Sequence, residues 1–423
     1  KREVLLPPKH FLLLKANDPF RAAIVDGWEE SERVISCEES IPASDGTHFI
    51  LFTTSGDAAT AVHRALKITV FEKNGIRHEK APLFFLSEAK LLNAPTQLDR
   101  LNLLKDEQTF LSTNGRGAMC RTYVRWGKLS SKYDALLAAN LNPDFPEDRR
   151  IMFTRCRGWI VYQGYSQEIS FDSLEYFQSE GNSGFWKYKI PTGQGERIDL
   201  QVTVRMLDDE NGVSLSFHRL PSGKRKGELN DAEAVQLILR PDIEDRNSHD
   251  TTKAYQGPEN AWPAAILVEP AGFIFAPAQD RKLTLRISRG IFVHQPQWQY
   301  MVHRPSEEER GLDANSDLWS PGYYSALIKG SETVFLTARV NQETSFSAHL
   351  SPEIDLEDTP VPRPLEKSLH NALNCFIVKR NHLKSVIAGY PWFLDWGRDS
   401  LIFSRCLIQT GMTQEARAIL TLF

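Results

Sequence analysis

The sequence predicts a mainly β protein with a short helical segment at its C-terminal end. Three observations carry this. From Lys1 to about residue 350, short runs rich in β-branched and aromatic residues alternate with Gly, Pro, Asn and Asp turns. Residues 351–365, SPEIDLEDTPVPRPL, hold four prolines and four acids, a composition that fills neither a helix nor a central strand. Beyond this linker the apolar spacing changes to the helical period.

The β-region is read in chain order. Ala65–Phe71 precedes Asn74-Gly75, Ile198–Met206 precedes Asp208–Gly212, and Val213–Leu220 precedes Pro221-Ser222-Gly223. The alternating runs on either side of Asp209–Gly212 predict a hairpin. Leu283–Ile287 alternates with charged neighbours and ends before Gly290. So much β-structure must close into sandwiches or barrels to hide its edges. Thr96–Lys105 places Leu98, Leu101 and Leu104 at helical spacing behind Thr96 as N-cap. It marks a boundary between a small β-domain, residues 1–90, and a larger one, residues 91–350. Asp231–Leu239 fits a short helix or a strand equally.

After the linker, Leu369, Ala372, Leu373, Phe376 and Ile377 give Glu366–Lys379 an amphipathic helical pattern. Ser400–Thr410 is apolar nearly all round and predicts a buried helix, stopped by Gly411, with Thr413 capping a last helix, Gln414–Phe423. Residues 366–423 supply about three helices of average length.

Composition bounds the function. With 423 residues the chain is long enough for about two to three domains. Lys+Arg number 50 against 54 Asp+Glu, so the basic surplus of a dedicated nucleic-acid binder is missing. No apolar run approaches the ~18 residues of a membrane span, and Phe11–Leu14 is too short for a secretory signal. Five cysteines, far apart and without a C-x-x-C pair, fit neither a disulfide framework nor zinc, and read as buried thiols in a reducing cytoplasm.

The stretch Ala388–Ile402, AGYPWFLDWGRDSLI, carries the chemistry. It interleaves Tyr390, Trp392, Phe393 and Trp396 with Asp395, Arg398 and Asp399 in a loop made by Gly389 and Pro391. Indole faces stack on the apolar face of a pyranose, while Arg and Asp hydrogen-bond neighbouring hydroxyls. The plainer alternative puts both indoles in a core and leaves Arg398–Asp399 as an ordinary ion pair at a helix start. Other signals read as structural. Gly115-x-Gly117 lacks the third glycine of a dinucleotide fingerprint, Cys120 standing there, and reads as a turn. His249-Asp250 has no further ligand at helical spacing, Pro305–Gly311 is a charged loop, and Trp159, Trp186 and Trp262 pack between sheets.

AGYPWF-x-DWGRD-S resembles the signature loop of glycogen debranching enzymes of the amylo-α-1,6-glucosidase type. FIVKRNHLKSVI before it fits the same family's helix and approach strand. Phe110–Arg157 and Leu239–His249 (LRPDIEDRNSH) resemble parts of that family's N-terminal β-domain. The run Arg116-Gly117-Ala118 departs from relatives that carry small residues with a second glycine there. VLLPPKHFLLLKANDPFRAAI resembles a strand pair in the terminal β-domain of an amylase-like module.

The resemblance implies a β-supersandwich followed by the first helices of an (α/α)6 barrel in residues 366–423, incomplete in this chain. It implies an α-glucan substrate, glycogen or limit dextrin, and release of α-1,6-linked glucose by inversion, which needs no metal or organic cofactor. It places Trp396, Arg398 and Asp399 around the terminal glucose, with Trp392 as aromatic wall and Asp395 either orienting Arg398 or touching sugar. The two catalytic carboxylates are expected beyond Phe423. A glucoamylase-like exo-α-glucosidase and a non-catalytic glucan-binding β-protein are the alternatives.

Overall fold

The computed structural model describes residues 3–26, 32–53, 61–87, 93–94, 97–105, 107–223, 226–341 and 363–423. The chain divides into two compact units, Lys1–Ala94 with Pro362–Leu369, and Pro95–Val361 with His370–Phe423.

The first unit is a small sandwich. A five-stranded sheet runs in the order Val4–Leu6, Gly75–Phe85, Val62–Glu72, Phe20–Asp26, Arg33–Glu39, opposite a three-stranded sheet of Phe11–Ala16, His48–Thr53 and Ile41–Pro42. Period-two alternation sends Leu12, Ile50 and Phe52 from one sheet onto Phe20, Ala22, Ile24 and Leu66 of the other. The turn expected at Asn74-Gly75 forms and closes a hairpin, with Glu72 opposite Gly75. The expected strand pair within residues 4–24 does not. Those residues make three strands that each pair with distant partners, Val4–Leu6 running parallel to Leu83–Phe85.

The second unit holds the main core, between a nine-stranded and an eight-stranded antiparallel sheet. The first contains Leu174–Glu180, Ser183–Pro191, Arg197–Met206, Gly212–Arg219, Thr333–Val340 and Arg281–Ile287 in that order. The second contains Met119–Tyr123, Ala135–Ala139, Arg150–Tyr162, Val235–Asn247, Asn315–Ile328 and Ile291–His303. The Tyr324 hydroxyl donates to Leu285 O at 3.0 Å, a bond from one sheet to the other. The hairpin predicted at Asp209–Gly212 is present, Met206 facing Val213. The ambiguous stretch before Leu239 opens the strand Val235–Asn247, because Leu237 and Leu239 alternate into the core.

Several local expectations are corrected. Thr96 lies outside the described residues, as do residues 351–362 of the linker. Helix α1 spans only Arg100–Lys105, and the Asp99 carboxylate accepts from Asn102 N at 2.8 Å as its cap. Leu103 is the residue it buries, whereas Leu101 and Leu104 are exposed and Leu98 sits in a strand. Helix α2, Pro258–Ala264, buries Trp262. The charged loop at 305 is helix α3, Pro305–Glu309. There, buried Glu307 accepts from Ser131 Oγ at 2.8 Å and Lys132 N at 3.0 Å. Only Cys120 and Cys156 are buried; Cys406 is exposed.

The chain then runs through helix α4, Leu365–Phe376, the hairpin Ile377–Arg380 with Leu383–Val386, helix α5, Gly397–Gln409, and helix α6, Thr413–Leu422. The α4 pattern stops at Phe376, since Ile377 begins a strand, and Leu369 is exposed. The α5 helix is not buried all round. Its described neighbours, α6 and Leu383–Val386, cover Ser400, Ser404 and Leu407, leaving Leu401, Ile402 and Ile408 open. Gly411, at φ +80°, ends α5 in a Schellman arrangement, Met412 N bonding Leu407 O at 2.8 Å and Gly411 N bonding Ile408 O. Thr413 is the first helical residue of α6 rather than its cap.

Candidate active site

The loop between Val386 and α5 is closed by its own backbone. Ala388 N bonds Leu394 O at 2.9 Å, Phe393 N bonds Gly389 O at 2.8 Å, and Ile387 bridges Asp395. The Tyr390-Pro391 peptide is cis. Tyr390 packs against Met119, Tyr133, Ala135, Ala138 and Ile151 of the sandwich. Burial pushes its hydroxyl up to about 12, with Arg149 pulling the other way.

Arg149 holds the loop to the sandwich. It is 1% exposed, stands just before the strand Arg150–Tyr162, and spreads its guanidinium over three carbonyls. Nε donates to Gly117 O at 2.7 Å, Nη1 to Pro391 O at 3.2 Å and Nη2 to Phe393 O at 3.3 Å. Its plane also lies 4.5 Å from the Tyr390 ring centre. Gly117, at φ +94°, turns its carbonyl to this fork, and a Cβ there would meet Pro146 at 3.1 Å. The Gly115-x-Gly117 segment is thus a turn that supports the loop. Sequence reading gave Arg149 no role, because nothing local distinguishes one arginine of an Arg149-Arg150 pair.

The predicted site residues fall into separate groups. Trp392 is half-exposed and meets Tyr133 edge-on at 6.4 Å. Trp396 and Phe393, also half-exposed, meet at 6.1 Å. Both indoles therefore present surface rather than fill a core. Arg398 is 75% exposed, its Nη2 lying 3.4 Å from Asp399 Oδ2, and Asp399 stands in the first turn of α5, where the helix dipole favours a carboxylate. Asp395 is turned away: it is 8% exposed and accepts from Arg380 Nη1 at 2.6 Å, not from Arg398. His249, whose Nδ1 lies 3.1 Å from the Tyr133 hydroxyl, is part of the support behind Trp392.

The segment carries the parts that suit a neutral, hydroxyl-rich ligand with apolar faces: half-exposed aromatic rings, an accessible guanidinium and a partly exposed carboxylate, on a loop fixed from behind and the helix start that follows it. Among the described residues, no helix is long and apolar enough to cross a membrane. A family model described as glycogen debranching enzyme N terminal matches residues 108–335, the sandwich of the second unit. One described as amylo-alpha-1,6-glucosidase matches residues 371–423, which include the loop and α5. Comparison with curated proteins gives no match. With the first match covering more than half its length and the second residues 371–423, the chain belongs to the glycogen debranching enzyme family, glycoside hydrolases that act on α-glucans.

Proposed function

We propose that the loop from Trp392 to Asp399 is the subsite for a single terminal glucose, the α-1,6-linked stub left at a trimmed branch point of glycogen or limit dextrin. Trp392 and Trp396 offer their faces to the ring, and Arg398 and Asp399 bond its hydroxyls from donor and acceptor sides. The observation that carries this reading is the presence of half-exposed indoles and an exposed Arg398 beside a partly exposed Asp399 on a loop clamped by a buried arginine. Asp395 is bound to Arg380 and acts as a positioning residue for the loop.

Hydrolysis in this reading proceeds by inversion. One carboxylic acid protonates the glycosidic oxygen and one carboxylate activates water, the two held about 6.5–9.5 Å apart to admit that water. Neither Asp395 nor Asp399 is given those roles, since one is committed to Arg380 and the other to a hydroxyl of the bound sugar.

Titration of the 423-residue chain with a glucose-configured iminosugar, followed by tryptophan fluorescence, tests the subsite. Saturable binding is expected, weakened about tenfold or more by Asp399→Asn with circular dichroism unchanged, because the charged acceptor for a sugar hydroxyl is lost. Absence of binding, or full affinity in the variant, would overturn the assignment.

A further inference from the structure

The sandwich of the second unit carries a cleft of about 720 Å³ whose walls include Lys132, His249, Lys253, Tyr255 and Trp262. That volume lies within the roughly 300–1,000 Å³ of ligand sites. Tyr133 connects it to the loop: its hydroxyl meets His249 of the cleft wall at 3.1 Å, and its ring meets Trp392 edge-on.

The chemistry of the walls selects the ligand. The Lys and Arg side chains that line the cleft are already engaged by the protein. Arg150 is paired with Asp245, Lys253 Nζ lies 2.7 Å from Asp313 Oδ2, Arg246 Nε lies 2.7 Å from Glu244 Oε1, and Lys132 Nζ donates to His249 O. A site built for phosphate would keep such cations for the ligand. Here they leave a surface dense in donors and acceptors with its charge balanced internally, which suits hydroxyl groups. Tyr255, 76% exposed at this cleft, adds an aromatic face of the kind on which sugar rings stack.

We propose that this cleft binds the α-1,4-linked main chain of the glucan from which the stub projects, an inference that rests on the loop being the stub's socket. The sandwich then takes part in substrate selection: a branched glucan engages both Trp392 and Tyr255, whereas a free glucose unit engages only the loop.

Two probes separate the sites in the 423-residue chain: a linear malto-oligosaccharide of seven units, and the iminosugar. Tyr255→Ala, a change at an exposed position, is expected to weaken malto-oligosaccharide binding about tenfold or more while leaving iminosugar affinity unchanged, and Tyr255→Phe is expected to retain both. Failure of the malto-oligosaccharide to bind, or full affinity in Tyr255→Ala, overturns the cleft assignment and leaves the loop reading standing. A chain that ignores the iminosugar yet binds malto-oligosaccharide through Tyr255 keeps the cleft as an α-glucan site and defeats the loop reading instead.

Discussion

Replacing Arg149 by lysine separates the geometry of the clamp from its charge. An ammonium cannot span Gly117 O, Pro391 O and Phe393 O together, so it is expected to keep Gly117 O, the nearest at 2.7 Å, and to lose both loop carbonyls. Hydrogen bonds from a charged donor contribute about 1.5–3 kcal/mol each. Those to the loop are long, at 3.2 and 3.3 Å, so the lower figure applies, about 3 kcal/mol for the pair. A local loss of this size raises the opening equilibrium of the loop about 100-fold. Native-state hydrogen exchange reads it directly. The Ala388 and Phe393 amides, bonded to Leu394 O and Gly389 O, are expected to exchange about 100 times faster. Amides of the strand Arg197–Met206 are expected to stay protected. Unchanged exchange at Ala388 and Phe393 would refute the clamp. Protection lost through the whole second unit would refute it equally, since Arg149 would then serve the sandwich rather than the loop.

Glu244 is expected to contribute to the loss of stability in acid. It is fully buried, and burial alone would raise its pKa, but Arg246, Arg304 and the Thr154 hydroxyl at 2.6 Å outweigh this and lower it. A depressed carboxylate adds stability that is present above its unfolded value of about 4.3 and is lost as pH falls through the folded one. Glu244→Gln is expected to cost about 3–5 kcal/mol at neutral pH by leaving Arg246 without its carboxylate, and to flatten the acid-side decline. Parallel stability–pH curves for both proteins, measured by denaturant titration, would contradict this. Among the thiols, Cys406 is exposed, while burial raises the pKa of Cys120 and Cys156. A thiol reagent is expected to label Cys406 in the native protein, and Cys120 and Cys156 only after unfolding. Prompt native labelling of Cys120 would show the core to be open.

The turn at Asn74-Gly75 and the hairpin at Asp209–Gly212 were readable because turn chemistry and alternation act over a few residues. The helix stop at Gly411 was readable for the same reason: a left-handed residue is needed there and glycine supplies it. The starts of α1 and α6 were misread: Asp99 caps α1, and Thr413 lies inside α6 behind Met412, because a Thr or Asp signals a cap only once the first helical residue is known. The α5 helix misled in another way. Apolar composition says what a helix could bury, not which of its sides has a neighbour. The acids of Pro305–Gly311 gave no sign that Glu307 would be wholly buried, because its partners Ser131 and Lys132 lie about 175 positions earlier.

For the candidate site the division is similar. The loop Ala388–Ile402 announced itself by composition, since aromatic rings alternating with Asp and Arg inside one turn are a local property. Its working geometry is not local. Asp395 could have faced Arg398, three positions on, but the hairpin Ile377–Arg380 brings Arg380 to it instead. Arg149 reaches Phe393 across a sequence separation of 244 residues. By itself the sequence determined the β-rich class, the turns, the helix stop and the residues proposed to bind a sugar, all of which follow from chemistry within a few positions. Only the tertiary structure decided which of those residues stay exposed, which are spent on ion pairs, and what holds the loop in place. Those outcomes depend on groups far apart in the chain that meet only once the sheets have closed around their core.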